Sequence, residues 1–177
     1  MIQIKRSALQ GSVLLLSSSL PGLILPPAAA IENMSRVNTG TAMNYWLMKS
    51  EPDCFSWDDF VAKGRAEWDG VRNHLAQSHM KAMKKGDRAF FYHSNIGLEV
   101  VGIMEVVEEA APDSTDDTGR WIAVHLAPVE KLKRPVTLKA MKADPALADM
   151  VMLRQSRLSV SPVTPAHYRH ICKLGGL

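Results

Sequence analysis

Cysteine is nearly absent from this 177-residue chain, which holds two, Cys54 and Cys172. Two thiols exclude a disulfide scaffold and a four-thiolate zinc site. Aromatic residues are missing from the first 42 positions; all eleven lie between Tyr45 and Tyr168. A segment without aromatics contributes little to a core. Charge of one sign is also in short supply. The net charge is +3, and residues 1–42 hold Lys5, Arg6 and Arg36 against Glu32, which leaves +1 for the remainder. A nearly neutral domain does not hold duplex nucleic acid by bulk charge, because that mode needs many phosphate contacts. No Gly-rich phosphate loop is present, since Gly175-Gly176 stands at the tail with no helix after it. What is there, 46% hydrophobic and 22% charged residues, suits one ordinary globular domain.

Residues 1–42 resemble a secretory signal when read literally. Lys5 and Arg6 are a short basic start, Val13–Leu16 and Leu20–Leu25 are apolar, and Ala28-Ala29-Ala30 offers a cleavage site. Ser17-Ser18-Ser19 and Pro21-Gly22 interrupt the run, which falls short of the roughly 20 apolar residues of a membrane span. The other reading is a start placed too far upstream, with Met34 or Met43 as initiator. Either way the folded unit is expected over 43–177 and the segment 1–42 outside it. The domain is expected in the cytoplasm, or exported if residues 1–30 act as a signal.

Within 43–177, Tyr45-Trp46-Leu47-Met48 reads as a buried strand running into the loop Lys49-Ser50-Glu51-Pro52. Ser56 with Asp59 forms the acidic variant of a capping box for a helix that Gly64 ends. Trp68-Asp69-Gly70 reads as a turn and Val71 to Lys85 as a helix. Strands follow at Arg88–Tyr92, Val100–Val107 and Trp121–Val129, with a Ser94–Gly97 turn and an acidic loop Pro112–Gly119. Pro135 is expected to break the extended segment after that. Short helices begin at Thr137 and Pro145, Ser159-Val160 is extended, and Thr164-Pro165 opens the last helix. Strands cluster between 88 and 129 without βαβα alternation. The fold expected is α+β, a strongly curved and mostly antiparallel sheet with helices packed on it.

Metal and nucleophile signatures are thin. His167-x-x-His170-x-Cys172 has no partner pair elsewhere, and His74 and His79 are five apart, off the face that two helical ligands need. Cys54 lies in a loop without the surroundings of a cysteine nucleophile. Polar residues do gather at strand ends beside aromatics: Lys49-Ser50-Glu51, Trp68-Asp69, Arg72-Asn73 and Tyr92-His93-Ser94. Singly, each has a structural explanation, in a core ring or a local ion pair. Together they would make a concave site with a flat wall and several hydrogen-bonding groups, suited to a planar heterocycle. Trp68, beside a turn, is expected at the cleft mouth; Trp46 and Trp121, embedded in strands, are expected in the core.

The stretches Tyr45-Trp-Leu-Met-Lys-Ser-Glu-Pro52, Trp68-Asp-Gly-Val-Arg-Asn73, Gly86-Asp87, Phe91-Tyr-His-Ser94 and Arg157-Leu-Ser-Val160 with Pro162 resemble the EVE domain family, the thymocyte nuclear protein 1 group, over about residues 43 to 174. The resemblance implies a PUA-like curved β-barrel of five or six strands flanked by helices. It implies a non-catalytic reader of a modified nucleobase, with 5-substituted cytosine in DNA leading. The Lys-Ser-Asn strand end and stacking Trp of the fold-related YTH domains look like Lys49-Ser50-Glu51 and Trp68. On this reading Trp68 stacks on the base, and Lys49, Ser50, Glu51, Asp69, Asn73, Tyr92, His93 and Ser94 surround it. Arg72 and Arg157 meet the nucleic-acid backbone. Modified DNA or RNA is then the partner of a monomer, with no cofactor, metal or membrane. The alternatives are an RNA-binding module, or an enzyme on modified nucleic acid or nucleotides using Glu51 or Asp69 beside Lys49 or His93. One departure stands out. Where family members have Tyr-Gln-Ala-Arg, this chain has His74-Leu75-Ala76-Gln77, which removes a charge from the first turn of that helix.

Truncation to Met43 tests the boundary. The shortened protein is expected to be soluble and to melt cooperatively by calorimetry; insolubility or a broad, non-cooperative melt would move the boundary upstream.

Overall fold

The computed structural model describes residues 43–177; the signal-like extension of residues 1–42 lies outside the described residues. Six strands are present among them: β1 (Tyr45–Ser50), β2 (Ala66–Trp68), β3 (Arg88–His93), β4 (Glu99–Pro112), β5 (Ile122–Thr137) and β6 (Val160–Val163). They form one sheet in the order β2-β5-β4-β3-β1-β6. β1 runs parallel to β3, and every other pair is antiparallel. The fold is α+β and mostly antiparallel, as expected. The sheet is not closed into a barrel: β2 and β6 stand at opposite edges.

Five helices flank the sheet: α1 (Trp57–Lys63), α2 (His74–Ala82), α3 (Leu138–Ala143), α4 (Val151–Arg154) and α5 (Pro165–Gly175). A 3-10 turn, Pro145–Leu147, joins α3 to α4. Local chemistry sets the ends of α1. The Ser56 hydroxyl accepts from the Asp59 amide at 3.1 Å while the Asp59 carboxylate accepts from the Ser56 amide at 3.1 Å. Gly64 closes the helix at φ 69°, a left-handed conformation that costs glycine least. The ring of Trp57 then lies flat on β4 at Gly102, where an added Cβ would come within 2.4 Å of it.

Three expectations are corrected. Trp68 is not in a turn; it ends β2, opposite Val124 of β5. The helix expected over Val71–Lys85 is shorter, because Asn73 caps α2 through its side chain and Met83 ends it. Val71 is buried but outside the helix. Pro135 does not break the extended segment. β2 pairs with β5 only as far as Leu126, so beyond it the outer edge of β5 meets no neighbouring strand among the described residues, and a missing N–H costs no ladder bond there.

The sheet divides the core in two. Trp46, Met48, Ala89, Phe91 and Trp68 belong to one cluster; Leu47, Phe90, Tyr92 and Val100 belong to the other. Asp87, buried at the entry to β3, accepts from the amides of Asn44 and Lys84 and from Trp46 Nε1, each at 3.0 Å. Those bonds hold the start of β1, the end of the α2 segment and β3 in one place.

The tryptophans reverse two expectations. Trp46 is core. Trp68 is fully buried, its ring edge-on to Phe91 with centroids 5.6 Å apart, so it does not stand at a cleft mouth. Trp121 precedes β5 and is only half-buried, beneath Arg72 and Arg120. Trp68→Ala is therefore expected to destabilise by about 3–5 kcal/mol through an unfilled core cavity. Trp121→Ala should cost less than about 1 kcal/mol, as a partly exposed side chain. Paired denaturant melts check both; equal losses would contradict this placement.

Candidate functional site

Side chains alternate along a strand, so the β1–β3 register decides which polar groups can meet. Lys49 lies opposite Tyr92 and Ser50 opposite His93. Lys49 and Tyr92 therefore face one side of the sheet, and Ser50, His93, Phe91 and Trp68 the other. The single site expected from sequence is divided by this parity into groups that do not share a wall.

On the first side, Lys49 Nζ stands 5.8 Å from the centroid of the Tyr92 ring and donates to the Ser156 carbonyl at 2.6 Å. Burial pushes the Lys49 ammonium below its ordinary lysine value, and burial, then Glu99, pushes the Tyr92 phenol up to about 12. Ser94 hangs its amide and hydroxyl on the Ser50 carbonyl, at 2.8 and 3.1 Å. Lys49, Tyr92, Ser94 and Ser156 line a cavity of about 330 Å³. Its apolar walls come from Leu98, Leu138, Met152 and Leu153, and Asn95 and Lys142 add polar groups. Beyond Ser156 a second hollow of about 370 Å³ is bounded by Asn73, Leu75 and the loop from Arg154 to Leu158. Arg157 lies here, as does Arg154, both exposed. The Asn73 side-chain oxygen, Oδ1, is already engaged as the cap of α2, accepting from the Ala76 amide at 3.0 Å.

On the second side the groups are largely committed. Ser50 donates to the Phe55 carbonyl at 2.7 Å, and His93 Nε2 accepts from the Trp57 amide at 3.2 Å. Burial holds the His93 imidazole below its ordinary value, consistent with that acceptor role. Asp69 is buried and its Oδ1 has no partner among the described residues, nor has Trp68 Nε1. Arg72, read from sequence as a backbone contact, is taken by Asp113 at 2.6 Å and Thr115 at 3.1 Å, with its guanidinium over Trp121. Glu51 lies on the turn after β1 with Asp53 and Cys54, their ligand atoms within 4.8 Å of one another. Two carboxylates and a thiol on a surface turn do not by themselves make a metal centre. The histidines of α5 bind carboxylates, His167 with Asp149 at 2.9 Å and His170 with Asp144 at 2.6 Å, which tie that helix to the segment before it.

Sequence reasoning therefore finds three cavity residues, Lys49, Tyr92 and Ser94, together with Arg157 and Asn73 next door. It misses Asn95, Leu98, Leu138, Lys142, Met152, Leu153 and Ser156. The run Arg154-Gln155-Ser156-Arg157, basic and polar between two short elements, carried a usable signal. Gln77 has a structural role. It is buried, donates to the Val71 and Ile122 carbonyls at 3.0 and 2.8 Å, and accepts from the Ile122 amide at 3.0 Å. Gln77 thus points inward and pins α2 to β5.

Asp69 gives a pH test. Burial, then Asp113 and Glu67, pushes its carboxyl up to about 6. A raised folded value means that the folded state favours the protonated form, so stability is full near pH 4 and falls as pH rises through about 6. Asp69→Asn keeps the neutral form at every pH. The variant is expected to match wild type in thermal melts near pH 4 and to exceed it by several degrees near pH 7.5. A constant difference across that range would contradict the assignment.

Known proteins can now be set beside this geometry. The EVE domain family matches residues 44–174. Mouse thymocyte nuclear protein 1 is 36% identical, with 74% of this chain and 73% of the mouse protein covered. An NMR structure of a Rhodopseudomonas palustris protein is 54% identical with a TM-score of 0.73, over 76% of this chain and 94% of that one. The crystal structure of human THYN1 protein in complex with 5-methylcytosine-containing DNA is 32% identical with a TM-score of 0.70, over 76% and 98%. With the match running almost the whole described length, this chain belongs to the EVE domain family.

Proposed function

We propose that this protein is a non-catalytic reader of a modified nucleobase, a 5-substituted cytosine in DNA, and that the base enters the cavity lined by Lys49, Tyr92 and Ser94. The observation that carries the reading is the human relative, solved on 5-methylcytosine DNA with the same fold at 32% identity. The cavity suits a base: it is part apolar, has an aromatic ring in its wall, and stands beside a loop with Arg154 and Arg157. The strand's sugar–phosphate chain would follow that loop, with Lys142 at the opposite rim. Two of the groups that an enzyme would need as acid and base are kept apart. His93 lies across the sheet from Lys49 and already accepts from the Trp57 amide.

Magnitudes say where selectivity must come from. Extruding a base from a duplex costs a few kcal/mol, and stacking returns about 1–3 kcal/mol. One methyl buried against Leu98 and Leu138 adds about 0.8 kcal/mol, roughly fourfold. Sharper discrimination requires a polar substituent that finds a partner, since an unpaired buried group costs about 1–3 kcal/mol. Lys49 Nζ, with N–H bonds beyond the one given to Ser156, and Asn95 are the donors at hand, while the Ser94 hydroxyl oxygen can accept. Trp68 supports this site from the core and is not its stacking surface.

Lys49→Met keeps the stem and removes the donor. It is expected to reduce the preference for modified over unmodified cytosine by about 10- to 100-fold, in line with one lost charged hydrogen bond. Arg157→Ala should weaken both oligonucleotides equally and lower the log–log salt slope by about 1. Fluorescence anisotropy across salt concentrations measures both; an unchanged preference in Lys49→Met would remove the base from this cavity.

A further inference from the structure

The loop joining β3 to β4, Ser94–Leu98, is built unlike the other turns beside the cavity. It is fixed at both ends. Ser94 is tied to the Ser50 carbonyl, and the Leu98 carbonyl accepts from the Leu138 amide at 2.7 Å. Between those anchors Asn95, Gly97 and Leu98 all have positive φ, at 65°, 84° and 52°. Leucine rarely adopts that conformation, and such residues persist where the surroundings over-determine them. The result is a narrow tip, anchored at both ends, that carries Ile96 outward, 58% exposed, the most exposed large apolar side chain among the described residues.

The tip stands between two hollows. Leu98, Leu138 and Lys142 line both the 330 Å³ cavity and a shallower groove of about 580 Å³, where Lys139 and Thr137 join them. Lys139 and Lys142 are exposed and have no ion-pair partner among the described residues. An anchored apolar projection, a base-sized cavity behind it and unpaired lysines in the groove before it suit the step of a duplex from which one base has been withdrawn. Apolar side chains inserted between base pairs are a recurrent device for unstacking, with cations on the adjacent phosphates.

We infer that Ile96 is a wedge that enters the duplex at the place left by the extruded base, with Lys139 and Lys142 holding the flanking phosphates. The inference rests on the reading of the cavity as the base site and adds the means by which a paired base reaches it. It separates two substrates, since a single strand has no stack to open and does not need the wedge.

The experiment uses the full chain with two probes: a duplex carrying one 5-methylcytosine with 2-aminopurine beside it, and the same modified single strand. Wild type is expected to bind both and to raise 2-aminopurine fluorescence in the duplex. Ile96→Ser should keep the wild-type melting temperature, weaken duplex binding at least tenfold, lose the fluorescence rise, and bind the single strand within twofold of wild type. Ile96→Met, which restores an apolar projection, should recover duplex binding. If Ile96→Ser binds the duplex like wild type, or if wild type binds only the single strand, the wedge is overturned and the base site stands. If wild type binds neither modified probe, the base-site reading falls and the wedge with it.

Discussion

The parallel register of β1 on β3 is the constraint from which the rest of the site follows. It sets Lys49 against Tyr92 and Ser50 against His93, and strand alternation then sends the two pairs to opposite faces. A slip of one residue would exchange the faces, placing Lys49 among Trp68 and Phe91 and exposing Ser50 to the cavity. Asp87 guards against that slip. Its carboxylate gathers donors from three residues, Asn44, Trp46 and Lys84, at the point where both strands begin. A buried carboxylate with its acceptor sites filled holds one arrangement and penalises the others.

Two buried carboxylates show the contrast between structure and poise. Asp113 is satisfied: burial raises its carboxyl, but bonds from Thr115, Arg72 and Gly70 outweigh that and leave it lowered. Asp69, close enough to feel Asp113, has one oxygen unpartnered and a carboxyl pushed the other way. The cations on this side, Arg72 and Arg120, are drawn to Asp113 and to the face of Trp121. The cations near the cavity are differently placed. Lys142 stands exposed on its wall, and Arg154 and Arg157 stand exposed on the adjoining hollow.

Local signals were the legible ones. The Ser56–Asp59 cap, the Gly64 stop, the Thr137 and Thr164 starts and the mostly antiparallel order all follow from short-range rules and appear as expected. Trp68 and Trp121 exchanged roles because neighbours in sequence do not reveal neighbours in space: Trp68 pairs with Val124 from far along the chain, while Trp121 sits just before its strand begins. The cavity was half legible for the same reason. Lys49, Tyr92 and Ser94 lie at strand ends beside aromatics, but Leu138, Met152 and Ser156 join them only through tertiary packing, and no local pattern marks them. The closed barrel was an expectation of resemblance; the sheet is open, with β2 and β6 at its edges.

The most direct measurement is amide chemical-shift mapping of the protein titrated with a single-stranded oligonucleotide carrying one 5-methylcytosine. The account expects the largest shifts at Lys49, Ser94, Leu98 and Ser156, with smaller ones along Arg154–Arg157 and little change at Trp121. Shifts concentrated instead at Trp121, Arg120 and Arg72 would contradict it and move the base to the opposite face of the sheet.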